Sequence, residues 1–286
     1  MHTSGTLYVV ATPIGNLGDI TQRAIEVLKS VDLVAAEDTR HSGQLLARLG
    51  IPARFVALHE HNEQQVAQRL VAEMQAGKRI ALICDAGTPA ISDPGTLLVA
   101  AAHAAGIAVV PLPGANAAVS ALSAAGVNAP HWLFYGFLPN KAVARSKALA
   151  ALVHLPYALV FYEAPHRIVE CVAALAASLG GTRRITLARE LTKLFESIHS
   201  LPLAEAVAWL EADLNRQKGE FVLIVEGAPE VVVDEDDARL RDTLAVLLEE
   251  LPLKQAAHLA ARLTGLKKNV AYELALQMRD ADAEKT

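Results

Sequence analysis

The sequence predicts an α/β protein with a first unit on a largely parallel sheet, a second unit of strands and helices, and a small helical tail. Three observations carry this. From Leu7 to Gly126, apolar runs of strand length alternate with amphipathic helical patterns, the rhythm of a sheet covered by helices on both faces. Clusters of Gly, Pro, Asn and Asp punctuate the alternation. Past Gly227 the composition changes: Glu226 to Glu250 holds nine acids and two arginines, whereas Leu251 to Tyr272 holds Lys254, Arg262, Lys267 and Lys268 and no acid.

LYVVA (Leu7 to Ala11) is a buried strand, followed by a Gly/Pro/Asn loop and the helix ITQRAIEVLKS. VDLVAAE is the second strand, with a helix near HSGQLLARLG. A short strand in RFVAL precedes the polar loop HEHNE and a helix ending near Gly77. Strand RIALIC, loop DAGTPAISDPG, helix TLLVAAAHAAG, strand IAVVPL, a Pro-Gly turn and helix ANAAVSALSAAG complete the first unit. The second contains strands ALVFYEA, RRITLARE and EFVLIVEG, with helices from His166 to Leu179 and from Leu203 to Leu210. The domain spans expected are 1–120, 121–229 and 230–286, the last an acidic linker and a basic helical tail. That tail, PLKQAAHLAARLTGLKKNVAYELAL, has the pattern of a helix-turn-helix hairpin. The same residues also read as a helical cap or dimerisation tail with a solvated face, since short helix pairs are common.

Composition excludes several classes. The 286 residues suffice for two ordinary domains, and at 52% hydrophobic and 20% charged the chain is not a disordered one. Alanine, with 53 residues, supplies much of the apolar content, while aromatics make up only 5%. Two cysteines, Cys84 and Cys171, make no disulfide scaffold and point to a reducing, cytoplasmic setting. The uncharged stretch from Pro94 to Asn140 is broken by Gly106, Pro111, Pro113, Gly114 and Gly126 into pieces too short to span a bilayer. MHTSGTLYVV lacks the basic start of a secretory leader. A net charge of -5 does not indicate a generic basic nucleic-acid binder.

No G-x-G-x-x-G follows the first strand, and there is no Walker A loop, no H-E-x-x-H and no paired C-x-x-C. HEHNE is a polar substrate-facing or capping loop, or two His ligands lacking a partner cluster, so no metal is expected. Both cysteines read as packing residues. The informative loops follow strands: ATPIGNLGD, EDTRHS, DAGTPAISDPG and PLPGANAA. In open α/β sheets ligands sit outside the carboxyl ends of strands, so these loops should meet at one crevice and admit a nucleotide-like ligand. In EDTRHS, the carboxylates beside Arg40 read either as a structural ion pair or as a group that orients a hydroxyl or binds phosphate.

Taken together, GTLYVVATPIGNLGDIT, AAEDTRHS, LHEHNE, LICDAGTPAISDPG, PLPGANAAVSAL, GFLP, FYEAPHRI, ARELTKLFE and GEFVLIVEG, in order from Gly5 to Gly227, resemble the ribosomal RNA small-subunit methyltransferase I group of the tetrapyrrole methylase superfamily. FYEAPHRI and AAEDTRHS belong to that group, whereas the Pro-rich first loop and the Pro-Gly turn belong to the superfamily at large. The resemblance implies a two-domain tetrapyrrole-methylase-like fold with the cofactor S-adenosylmethionine in the cleft between domains, usually in a homodimer. It implies methyl transfer to the 2′-hydroxyl of a cytidine ribose in the decoding region of 16S rRNA. The partners implied are 16S rRNA or the small ribosomal subunit, with no membrane.

Carried over by position, cofactor contacts fall on Pro13, on Ala86, Gly87, Thr88 and Ile91, on Asn116 and Ala117, and on Tyr162 and Leu191. The sequence reads Ala86-Gly87-Thr88 where tetrapyrrole enzymes carry Gly-Gly-Asp, which leaves backbone contacts there. A ribose hydroxyl is a weak acid, so the transfer gains from a base or a nearby cation. Candidates are Glu37, Asp38 and Glu163 as base or orienter, with Arg40, Arg167 and Lys193 supplying positive charge. Arg40 and Lys193 are expected to hold RNA phosphate and the reacting ribose, or else to pair with carboxylates at the domain interface. Local basic clusters at Lys141, Arg145 and Lys147, at Arg183, Arg184, Arg189 and Lys193, and in the tail would bind RNA on an acidic protein. Scarce aromatics disfavour a base-stacking platform. Two other readings are a tetrapyrrole C-methyltransferase and a non-catalytic ribosome-binding module.

Overall fold

Leu7, Val10, Ile80 and Ala81 are fully buried, as befits strands enclosed on both faces. The computed structural model describes residues 5–229 and 235–283. Strands β1 (Thr6–Val10), β2 (Leu33–Ala36), β3 (Phe55–Ala57), β4 (Arg79–Ile83) and β5 (Ala108–Leu112) form a sheet in the order β3-β2-β4-β1-β5. Every pairing is parallel, with Tyr8 opposite both Ala81 and Val110. Parallel neighbours need crossovers, supplied by α1 (Gln22–Ser30), α2 (Thr39–Arg48), α3 (Glu63–Gln75) and α4 (Thr96–Ala104). Alternate side chains divide between the faces. Leu7, Ile80 and Leu82 meet Leu70 and Met74 of α3 and Leu98 of α4. Val10, Ala81 and Ile83 meet Leu28 of α1 and Leu46 of α2.

After α5 (Ala117–Ala124) comes a second sheet, of β6 (Trp132–Phe137), β7 (Ala158–Glu163), β8 (Arg184–Arg189), β9 (Ser197–Pro202) and β10 (Phe221–Val225). Its order is β6-β7-β10-β8-β9. Only β6 and β7 run parallel; β10 is antiparallel to both its neighbours, and β8–β9 is an antiparallel pair. The parallel rhythm of the first unit therefore does not extend to the second. Sequence periodicity also missed three elements. In β6 it is broken by a bulge between Phe134 and Gly136, where Gly136 takes φ +79°. The edge strand β9 exposes Ile198 and His199. Helix α6 (Ala142–Ala150) buries an arginine, Arg145, beside Leu149, which hides the apolar stripe.

Helices α7 (Ile168–Leu179) and α8 (Leu203–Glu211) cover one face of this sheet, placing Leu175, Leu203 and Leu210 over Leu159, Phe161 and Leu223. The other face, with Ala158, Val160, Ala188 and Val222, receives Ala118 and Ala121 of α5 and Ile14 from the loop after β1. Methyl side chains on both sides of this contact let the backbones approach closely, which is one use of the alanine excess. Residues Met1–Ala228 thus form one compact unit containing both sheets, and Pro229–Thr286 a second.

The second unit holds α9 (Glu235–Glu250), α10 (Leu253–Thr264) and α11 (Lys268–Ala283). Of the stretch expected as an acidic linker, residues 230–234 lie outside the described residues, and the rest from Glu235 is helix. Leu240 and Leu244, four apart on α9, bury against Ala257, Ala260 and Ala261 of α10, while Asp242, Glu249 and Glu250 stay exposed. Helix α10 ends at Gly265, left-handed at φ +78°, the conformation that favours glycine after a helix. No described helix is long and apolar enough to cross a membrane.

Candidate functional site

The loops after β1, β4 and β5 are tied to one another by hydrogen bonds. Thr12 and Gly87 exchange N–H to carbonyl bonds of 2.8 and 3.0 Å, and Thr12 Oγ1 donates to the Cys84 carbonyl at 3.1 Å. Gly87 sits at φ +85°, which lets the chain turn where Cys84–Ala86 leaves the sheet. Thr88 Oγ1 donates to the Ala115 carbonyl at 3.1 Å, tying this loop to the one before α5. Asn116 caps α5, its Oδ1 accepting from Val119 N–H at 3.1 Å. Ala118 N–H donates to the Tyr162 hydroxyl at 3.2 Å, linking the start of α5 to the second sheet. Phe134 and Phe137 hold the Tyr162 ring edge to face at 4.9 and 5.7 Å.

HEHNE is a capping loop. Asn62 Oδ1 accepts from His59 N–H at 2.9 Å. Buried Glu63 Oε1 accepts from Gly95 and Leu97 N–H at 2.9 and 2.8 Å, at the start of α4, which has no side-chain cap of its own. Among the described residues no group of three or more His, Cys, Asp or Glu is placed to hold a metal ion. Both cysteines are buried and free, and burial pushes each thiol's pKa up.

These loops and the second sheet enclose a cavity of about 360 Å³. Ala86, Gly87, Thr88, Ile91, Asn116, Ala117, Tyr162 and Leu191 all line it, as does Glu163. Pro13 does not; its neighbour Ile14 does. Glu37, Asp38, Arg40, Arg167 and Lys193 are absent from the wall. Sequence reasoning missed Ser92, Asp93, Phe137, Glu220 and Val222. Asp93 lies in the loop already singled out, whereas Glu220 and Val222 arrive with β10, whose antiparallel place a parallel reading does not anticipate. Among the described residues the wall carries three carboxylates, Asp93, Glu163 and Glu220, and no lysine, arginine or histidine.

The remaining candidates are accounted for locally. Asp38 is the N-cap of α2, accepting from Arg40 and His41 N–H at 2.8 and 3.3 Å. Those bonds, and the Arg40 guanidinium 3.3 Å away, hold its pKa below the usual carboxylate range. Glu37 is half-buried; burial first, and then the charges of Asp93 and Asp85, raise its pKa. Arg167 lies 3.3 Å from the wholly buried Glu163 and donates to the Leu138 carbonyl at 2.7 Å. Glu163 Oε1 accepts from Ala164 N–H, and Oε2 is the oxygen that faces Arg167. Lys193 Nζ bridges Glu190 and Glu220 at 2.8 Å each; burial alone would lower its pKa, but the two carboxylates hold it above its ordinary value. Arg40 and Lys193 therefore each pair with carboxylates beside them. Of the basic clusters, Arg145 is buried and pairs with Glu170, and Arg183 is buried and donates to the Val153 carbonyl. Lys141, Lys147 and Arg184 remain exposed.

Comparison with known proteins agrees with this architecture. Residues 6–207 match the family model of Tetrapyrrole (Corrin/Porphyrin) Methylases, and residues 234–279 match that of the RsmI C-terminal HTH domain. The chain is 54% identical over 278 residues to ribosomal RNA small subunit methyltransferase I of Escherichia coli O157:H7, covering 97% of both chains. It is 53% identical to the protein of that name from Pseudomonas aeruginosa, covering 96% of this chain and 98% of the relative. Among solved structures, the methyltransferase CobJ superimposes with a TM-score of 0.58 at 20% identity, over 79% of this chain and 95% of that one. Uroporphyrin-III-C-methyltransferase from Thermus thermophilus gives a TM-score of 0.53 at 21% identity, over 78% and 94%. These two likenesses concern the fold alone. The chain belongs to the tetrapyrrole methylase family, within its group of small-subunit ribosomal RNA methyltransferases I.

Proposed function

We propose that the protein methylates the 2′-hydroxyl of a cytidine ribose in the decoding region of 16S rRNA, using S-adenosylmethionine, in the cytoplasm and as a homodimer. One observation carries the choice of donor: a cavity with three carboxylates and no cation on its wall. Such a wall suits a ligand bearing positive charge and repels nucleotide phosphates. Its size lies within the ordinary range for small-molecule sites. The relatives' names support small-subunit rRNA as the acceptor.

Bound there, S-adenosylmethionine would supply an electrophilic methyl on a positively charged sulfur. The chain's own part is to bind, orient and exclude water. Backbone at Ala86–Thr88 and Asn116–Ala117 offers polar groups, and Ile14, Ile91, Leu191 and Val222 offer apolar surface. Glu163 brings a buried carboxylate to the wall, held in place by Arg167 at Oε2 and by Ala164 N–H at Oε1. Lys193 holds Glu220 beside the cavity. Arg40, with 88% of its side chain exposed, is the cation assigned to RNA phosphate.

The test is to supply labelled donor with naked 16S rRNA, assembled small subunits or a uroporphyrinogen-type macrocycle in separate reactions. Label in rRNA supports the reading. Label on macrocycle carbon overturns it, and donor binding without transfer to any acceptor would favour a non-catalytic module.

A further inference from the structure

We propose that Asp93 is the general base that takes the proton from the attacking ribose hydroxyl. This rests on the ribose-methylation reading above. Of the three carboxylates on the cavity wall, two are already engaged. Glu163 lies 3.3 Å from the Arg167 guanidinium, and Glu220 lies 2.8 Å from Lys193 Nζ. In each, a cation occupies the carboxylate oxygen that a hydroxyl proton would otherwise reach. Among the described residues Asp93 forms no ion pair.

The groups that act on it come from every side of the site. They are the Cys84 thiol at the end of β4, Asp85 in its own loop, Glu37 after β2 and the Tyr162 hydroxyl on β7. None is cationic. Burial first, and then the charge of Asp85, raises the proton affinity of Asp93; the hydrogen bond with Cys84 acts in the opposite sense and does not offset them. A base of raised proton affinity is better matched to a weakly acidic hydroxyl at neutral pH.

The backbone also marks the position. Ala90 and Ser92 adopt φ +65° and +66°, left-handed conformations that are uncommon for residues with a side chain. Strain of this kind persists where surrounding structure enforces it, and it clusters at functional sites. Here Thr88 anchors one side of the turn and Glu63 clamps the other at Gly95 and Leu97. Asp93 is thus presented at the cavity wall from a loop pinned on both sides.

The step balances within the proposed reaction. As the ribose oxygen bonds to the methyl carbon, the methyl–sulfur bond breaks and its electron pair stays on sulfur. The hydroxyl proton passes to the Asp93 carboxylate and then to solvent.

The test compares wild type with Asp93→Asn and Asp93→Glu in three measurements: calorimetric binding of S-adenosylmethionine, single-turnover methylation of small subunits against pH, and melting temperature against pH. Asp93→Asn removes one of the three wall charges and should bind the donor more weakly, but with the donor saturating it should methylate about 10²–10⁴-fold more slowly. The wild-type rate should fall toward acid with an inflection above the usual aspartate range. Asp93→Glu should keep that inflection and recover part of the rate, and Asp93→Asn should lose it. Melting gives a readout independent of activity. A carboxyl with raised folded-state pKa binds more protons folded than unfolded between the two values, so its ionisation destabilises the fold as pH rises. Asp93→Asn should therefore melt above wild type at neutral pH, and the gap should close in acid. Undiminished methylation by Asp93→Asn in an active preparation, or a melting gap that ignores pH, overturns the assignment. A wild-type protein that places no methyl on ribose overturns the ribose reading and this assignment with it.

Discussion

Replacing Glu63 with alanine tests whether the loop that lines the cavity is held from outside it. Glu63 Oε1 accepts from Gly95 and Leu97 N–H at 2.9 and 2.8 Å and, at 3.4 Å, from Leu98 N–H. Gly95 precedes α4 and brings no side-chain cap, so truncation leaves these donors unsatisfied in a buried setting. Hydrogen bonds to a charged acceptor contribute about 1.5 kcal/mol or more each, so losing the two short ones costs about 3 kcal/mol. For a chain of this class that lowers the melting temperature by about 6–12 °C. Glu63→Gln keeps an acceptor without the charge and should lose about 1 kcal/mol. Because Ile91 and Asp93 lie just before the clamped turn, donor affinity should weaken alongside stability in Glu63→Ala. Thermal unfolding and donor titration of the three proteins supply the data. An alanine variant that melts with wild type would refute the reasoning.

Three further outcomes are expected. Arg167→Ala leaves the wholly buried Glu163 carboxylate without its cation, which should cost about 3–5 kcal/mol in urea unfolding. Gly114→Ala places a methyl 2.8 Å from the Ala11 Cβ, which cannot rotate away, and should destabilise by about 1–3 kcal/mol by the same measurement. A chain ending at Ala228 retains the whole cavity and should keep its donor affinity. It should lose rRNA affinity and show a shallower salt dependence in filter binding, because exposed Lys254, Arg262, Lys267 and Lys268 are gone.

The cavity lining was legible in sequence in the Gly- and Pro-rich loops after β4 and β5, but missed by one residue after β1, where Ile14 lines the wall and Pro13 does not. Ala86, Gly87, Thr88, Ile91, Asn116 and Ala117 line the cavity because parallel strands deliver their loops to one edge. What was not legible depends on partners distant in the chain. Glu220 and Val222 reach the wall through the antiparallel β10, which the rhythm of the first sheet does not imply. Asp38 reads as a catalytic carboxylate until the adjacent backbone N–H groups show it as a helix cap. Arg145 and Arg183 read as RNA-binding cations because charge is visible in a sequence and burial is not; Glu170 and the Val153 carbonyl hold them. The acids of α9 concealed a helix whose buried face needs only Leu240 and Leu244.

The most direct test of the account is to locate the methyl group itself. Small subunits lacking the modification are incubated with the protein and labelled S-adenosylmethionine, and their 16S rRNA is digested to nucleosides and analysed by mass spectrometry. The account predicts a single labelled cytidine carrying the methyl on its ribose, with the adjacent phosphodiester resistant to alkali. Label on a base, or no label in rRNA while a macrocycle is methylated on carbon, would contradict it.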